Sequence, residues 1–382
     1  MPAPGPEEDR PVVEFEFTDE QRALRDVARD FCTRHSSEEA VRAVMGTEEG
    51  FDRSVWRRLG ADVGLLGLAV PEEHGGAGAG LVELALLAEE SGRSLLCAPL
   101  VGTVALAVPA LLATGDDAAA KDLLPGVVDG ATVLALAATD DRGAWAPAQL
   151  SVTATSGGTL TGEQAHVLDG AAADALLVLA TGDDGPALYL VDGDAAGLTR
   201  EVQSGLDLTR RQARLRLDGV AARPVGSAAA AAAAVATARR TAAVVLAAAA
   251  VGSAQRMLDS SVEYARTRLQ FGRPIGSFQA VKHRCADMLV DVEHARSAAY
   301  HAAWAADAVT DDPDLAADLA TVITAEAHLR VAKSTVQVHG GIGFTWEHPT
   351  HLHYKRAVSD AALLGGRAAA ATRLADAVLE PA

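Results

Sequence analysis

Arg266-Thr267-Arg268-Leu269-Gln270-Phe271-Gly272-Arg273-Pro274-Ile275-Gly276-Ser277-Phe278-Gln279 lies between two long helical patterns. Gly272, Pro274 and Gly276 interrupt the helical pattern on either side, so the segment is a turn between two long helices. It gathers several guanidiniums, an aromatic ring and an amide into a few residues. An arginine fork matches two oxygens of a diphosphate at once, and a purine takes an amide edge and a ring face. A helix hairpin with solvated arginines satisfies the same spacing.

Working outward, everything after Pro224 reads helical, with long segments at about 229–268, 276–308, 314–338 and 349–378. Seven alanines, Ala228 to Ala234, open the first of them, because alanine is the strongest helix former. Four such helices in sequence predict an up-and-down bundle. The third helix runs into Gln337-Val338-His339-Gly340-Gly341-Ile342-Gly343-Phe344, whose glycines let backbone N–H groups approach a ligand closely.

The region before the bundle changes character. Short apolar runs at Val133–Ala138, Leu176–Leu179, Leu188–Val191 and Leu215–Leu217 alternate with Gly157-Gly158, Asp183-Asp184-Gly185, Asp192-Gly193 and Asp218-Gly219. That alternation predicts an antiparallel β domain with hairpin turns. Upstream, Thr18 precedes Asp19 and Glu20 as a helix cap, and Leu24, Val27, Ala28 and Phe31 follow at helical spacing. The division is therefore an extended or disordered terminus at 1–16, an α-helical domain at 17–130, a β domain at 131–226 and a four-helix bundle at 227–382, an α+β architecture.

Composition narrows the function. The 382 residues carry a net charge of −18, from 51 acidic against 33 basic groups, and such a surface repels phosphate backbones. Nucleic acid is not the expected partner. The apolar run Thr241–Val251 falls short of the ~20 residues that span a bilayer, and the start of the chain is Pro- and Glu-rich rather than a basic, apolar leader. Three distant cysteines, Cys32, Cys97 and Cys285, indicate a reducing compartment. A soluble, cytoplasmic protein is expected.

The two motifs together, RxxFGRPIxxFQ and then QxHGGxGFTWE, resemble the acyl-CoA dehydrogenase family closely. Phe17-Thr18-Asp19-Glu20-Gln21-Arg22-Ala23-Leu24-Arg25 is similar to that family's opening helix. Gly64-Leu65-Leu66-Gly67-Leu68-Ala69-Val70-Pro71-Glu72-Glu73-His74-Gly75-Gly76 and Glu90-Ser91-Gly92-Arg93 resemble its first-domain signatures. His351-Leu352-His353-Tyr354-Lys355-Arg356, after the glycines, is similar to actinobacterial members linked to steroid and unusual acyl-CoA metabolism.

The resemblance implies FAD, oxidation of an acyl-CoA or acyl-carrier-protein thioester to its 2,3-enoyl form, and assembly as dimers or dimers of dimers. Electron-transfer flavoprotein is the implied acceptor. Arg268, Phe271 and Gln279, with Gln337, Gly340 and Gly341, would serve the diphosphate and adenosine end of a flavin held mainly by a neighbouring subunit. Thr139 and His166 would touch the isoalloxazine.

The chain also departs from that pattern. Many members place a glutamate base about twenty residues beyond the glycines, where this sequence has Leu364-Gly365. Others place it on the first bundle helix, facing the same pocket. Here Thr241–Ala250 has no carboxylate, and Ala249 stands where relatives of this dialect often show glutamate. Asp259, Glu263 and Asp360 are the acidic residues nearest by sequence, and no catalytic residue is assigned. The usual Thr-Glu-Pro and Gly-Ser-Asp are replaced by Ala138–Gly143, and Trp-Ile-Thr by His166-Val167-Leu168. Three readings follow: a dehydrogenase or one subunit of a heteromeric one, a non-catalytic partner that shapes a paralogue's site, and a scaffold recruited to other thioester chemistry. His328, His339, His348, His351 and His353 match no metal-ligand spacing, so no metal is expected. Trp304, Trp346 and Cys285 read as packing residues.

Overall fold

The computed structural model describes residues 16–146, 148–308 and 312–379. The expectation for the terminus at 1–16 lies outside these residues except for Glu16.

Six helices come first: α1 (Asp19–His35), α2 (Glu38–Val44), α3 (Arg53–Arg57), α4 (Leu81–Arg93), α5 (Val108–Ala113) and α6 (Asp117–Val128). Thr18 caps α1 reciprocally with Gln21, at 3.2 and 3.0 Å, which satisfies two otherwise orphaned backbone donors. Gln21 then donates to Glu83 at 2.8 Å and ties α1 to α4.

Eight strands follow: β1 (Leu134–Ala137), β2 (Val152–Ala154), β3 (Thr159–Leu168), β4 (Ala175–Gly182), β5 (Gly185–Asp192), β6 (Leu198–Val202), β7 (Gln212–Ala221) and β8 (Arg223–Val225). They form one sheet in the order β6-β7-β3-β2-β4-β5-β8, with β1 also on β4. The expected hairpins are present at Gly157-Gly158 and Asp183–Gly185. The sheet is nevertheless mixed rather than purely antiparallel, because β1 and β2 both pair with β4 in parallel. Parallel partners are joined by crossovers, not turns, so no local signal announces them. All four residues of β1 are buried, as a strand covered on both faces requires.

The bundle consists of α7 (Ala228–Thr267), α8 (Gln279–Ala308), α9 (Pro313–His339), α10 (Thr350–Asp360) and α11 (Gly366–Leu379). The single helix expected over 349–378 is instead two. Leu364, Gly365 and Gly366 have φ of 57°, 85° and 65°, a left-handed run that ends a right-handed helix. By length and composition α7 is apolar enough to cross a membrane, but 78% of its apolar window is buried inside the chain, so it is a core helix. Gly92 of α4 faces the Ala249 carbonyl and Gly252 of α7 faces the Glu89 carbonyl so closely that a Cβ at either position has no room. Small residues set this helix spacing, as the alanine-rich, aromatic-poor composition predicts.

Candidate active and cofactor site

The Arg266–Gln279 turn is a two-residue β-hairpin, with Gln270 paired to Arg273 and Leu269 to Pro274. Its tip holds Phe271 and Gly272 at φ of 52° and 75°, the left-handed pair of a tight hairpin turn. That backbone points the Phe271 ring outward, 90% exposed. Arg273 lies over the Phe278 ring, 4.1 Å from its centroid, and Arg268 is exposed. Gln279 exchanges one contact of 3.4 Å with His283. Gln337, Gly340 and Gly341 are exposed, and a Cβ added at either glycine meets nothing within 4 Å. Phe344 and Trp346 beside them are 82% and 58% exposed. Trp346 is therefore not core, whereas Trp304 packs against the main core and Cys285 against the smaller one.

Thr139 and His166 lie elsewhere. Both line a cavity of about 440 Å³ between the sheet and the C-terminal helices, together with Trp145, Gln203, Arg210 and Leu364. The Thr139 hydroxyl donates to the Ala165 carbonyl at 2.6 Å. His166 has a φ of 57°, and its ring Nδ1 sits 2.7 Å from Gln212 Oε1. None of the six outward-facing residues lines this cavity. The structure thus separates the eight sequence-identified residues into an outward set and an inward set that do not meet within one chain.

Leu363 and Leu364 also line a second, small crevice of about 30 Å³, with Ala243, Leu246, Ala247 and Ala250 of α7. Leu364, one of the two places where relatives carry a base, therefore faces a stretch of α7, but not the other place itself. Ala249 is not among the lining residues; its carbonyl packs on Gly92. Asp360 is the only carboxylate lining the crevice among the described residues. It is buried and ion-paired with Arg210. Burial pushes its carboxyl above the usual range, against the opposing pull of Arg210 and Arg356. Glu263 is exposed on another groove beside Arg266 and Cys285, and Asp259 is bound to Arg93 at 2.7 Å. Neither reaches the crevice.

With this geometry in hand, the comparisons are specific. The profile of the acyl-CoA dehydrogenase N-terminal domain matches residues 18–131, and that of the C-terminal domain matches residues 232–379. The chain belongs to the acyl-CoA dehydrogenase family. It is 36% identical to acyl-CoA dehydrogenase IpdE2 of Mycolicibacterium smegmatis over 91% of this chain and 96% of that protein. Among solved structures it is similar to the ChsE4–ChsE5 complex from Mycobacterium tuberculosis, with TM-score 0.86 and 32% identity over 97% of this chain and 100% of the other. It is likewise similar to a variant of the Tcur3481–Tcur3483 steroid ACAD, with TM-score 0.82 and 37% identity over 94% and 98%.

Acyl-CoA dehydrogenases bind FAD. The residues present fit such a group. Gly341 has no packing demand within the chain that excludes a side chain, and Arg268 beside the hairpin is exposed. Donors left unspent on the surface suit a ligand shared with another subunit.

Sequence reasoning missed the polar seam behind the cavity. Asp207 and Thr209, just before β7, meet Arg356 of α10, and Arg210 meets Asp360. The runs Asp207-Leu208-Thr209-Arg210 and Lys355-Arg356 are the only local signals, and neither shows by itself what it pairs with. Among the described residues no three His, Cys, Asp or Glu side chains converge as a metal site.

Proposed function

We propose that this chain is a base-lacking subunit of a heteromeric acyl-CoA dehydrogenase acting on an acyl-CoA or acyl-carrier-protein thioester in the cytoplasm. The observation that carries the reading is the crevice at Leu364, where the only lining carboxylate among the described residues is bound to Arg210. Proton removal at C2 needs an ionised carboxylate within reach, and a positioned base contributes typically 10²–10⁴-fold. A heteromeric relative, the ChsE4–ChsE5 complex, supports the reading.

In this assignment Arg268, Phe271 and Gln279, with Gln337, Gly340 and Gly341, hold the diphosphate and adenosine end of FAD bound mainly by the partner. Arg268 supplies a charge-assisted, two-pronged contact to phosphate oxygens, and Gly340 and Gly341 let backbone N–H groups reach the same end. Thr139 and His166 stand at the chain's own ring-side cavity. FAD held there would supply the acceptor for the hydride at C3 of the thioester, with a carrier such as electron-transfer flavoprotein as the onward electron acceptor.

The test is to purify the chain alone and together with a paralogue that carries the glutamate. Flavin content and dye-linked oxidation of short, branched and steroid-type acyl-CoAs are measured on both. Flavin-loaded, active complex and an inactive lone chain are expected. Rapid turnover by the lone chain overturns the assignment.

A further inference from the structure

Ser253 of α7 sits between two histidines. Its hydroxyl is 2.8 Å from His353 Nδ1 on α10 and 2.8 Å from His328 Nε2 on α9. All three side chains are buried, at 1%, 6% and 1% exposure for Ser253, His353 and His328. A hydroxyl has one proton, so it donates to one imidazole and accepts from the other.

The ends of this chain of hydrogen bonds open on different spaces. His353 lines a groove of about 430 Å³ bounded by α1, α4 and the bundle, whereas His328 lines the crevice at Leu364. Inside that crevice two buried polar atoms lack a protein partner, His328 Nδ1 and Asp360 Oδ2. The crevice volume of about 30 Å³ exceeds the ~10–15 Å³ that a water requires. Orphaned atoms on both sides of a water-sized void are how a structural water is held.

We propose that His353, Ser253 and His328 form a proton relay through the bundle, completed by a water shared between His328 Nδ1 and Asp360 Oδ2. In one state His328 Nε2–H donates to Ser253 and the serine donates to His353 Nδ1. A proton arriving from the water at His328 Nδ1 displaces Nε2–H to the Ser253 oxygen. The serine proton passes to His353 Nδ1, and His353 Nε2–H leaves to the groove. One proton enters, one leaves, and both rings end as their Nδ1–H tautomers. Arg356 and Arg210 face His328, opposed by Asp207, while Arg256, Arg356 and Arg93 face His353. Burial and these cations keep both rings neutral, so the relay passes a proton without storing one. On the far side Asp360 is bound to Arg210, and Leu363 and Leu364 line both this crevice and the cavity that holds Thr139 and His166. It stands on this geometry whether or not the chain oxidises a thioester.

Nitrogen NMR of ¹⁵N-histidine-labelled, flavin-free protein tests it, with His328→Gln and His353→Gln for assignment. Both rings are expected neutral from pH 5 to 8, always in the same tautomer, and exchanging between tautomers at one common rate. Ser253→Ala is expected to abolish the shared rate. Frozen tautomers, or rings that titrate independently, overturn the relay, and this wild-type readout needs no variant to fold. A high-resolution crystal structure is expected to show a water bonded to both His328 Nδ1 and Asp360 Oδ2, and an empty crevice refutes that part. Turnover is not measured, so failure here is distinct from failure of the subunit assignment.

Discussion

Asp207 and Arg356 join the middle sheet to the bundle through an ion pair of 2.7 Å, with 2% and 4% of their side chains exposed. Arg356 also donates to the Thr209 carbonyl at 2.9 Å, and Thr209 N–H donates to Asp207 at 2.9 Å. Asp207 also lines the cavity that holds Thr139 and His166, so domain docking and one wall of that cavity depend on the same carboxylate.

Removing one partner leaves a buried charge uncompensated. Arg356→Met should therefore cost about 3–5 kcal/mol of stability, while adding Asp207→Leu should recover much of it. Urea unfolding of the single and double variants measures both. A single-variant loss below about 1 kcal/mol would show the seam to be wet.

Arg268→Ala should weaken flavin retention by about 1.5–3 kcal/mol in whichever assembly holds flavin. Its side chain is exposed and outside both cores, so the melting temperature of the flavin-free chain should not move. Equal flavin content in variant and parent removes Arg268 from the site.

The exposed rings of Phe271, Phe344 and Trp346, with Leu269 at 61%, make a surface that a lone chain leaves in water. Light scattering at micromolar concentration should give at least twice the mass of one chain. Phe271→Asp together with Phe344→Asp should shift that mass toward the monomer without unfolding it. A parent protein that is already monomeric contradicts the shared-flavin assignment.

Burial lowers the His328 pKa from 6.5 to about 3, with Arg356 and Arg210 adding to the effect. Between those values the unfolded chain binds a proton that the native chain refuses. Stability is thus full above about pH 6.5 and falls as pH drops toward 3, by up to about 5 kcal/mol for this group. His328→Gln should flatten the acid limb of a stability–pH curve measured by denaturant unfolding. An unchanged slope between pH 6 and 4 would mean that burial does not hold His328 neutral.

Chemistry carried by contiguous residues was legible before any coordinates. The hairpin tip Phe271-Gly272 and the glycines after His339 are local patterns, and their outward geometry follows from turn rules alone. The break at Leu364 was not legible, because leucine is a helix former and its left-handed φ is imposed by Gly365-Gly366 and the return of α11 onto α9. Ala249 was placed by position in the helix, but which face of α7 meets Leu364 depends on how α4 packs through Gly92.

By itself the sequence determined the order of domains, the helical bundle, the family and the absence of carboxylates at two familiar positions, since each is written in neighbouring residues or in their 2.0 and 3.6 periodicities. Tertiary structure alone decided the parallel pairing of β1 and β2 with β4, the separation of exposed Arg268 and Gly340 from Thr139 and His166 in the cavity, and the commitment of Asp360 to Arg210. It also brought Ser253, His328 and His353, from three helices, within hydrogen-bond distance. Those contacts join residues up to 150 positions apart. A pairing across such a distance is selected by which buried polar groups can satisfy each other once the core has closed, and no window of sequence contains that information.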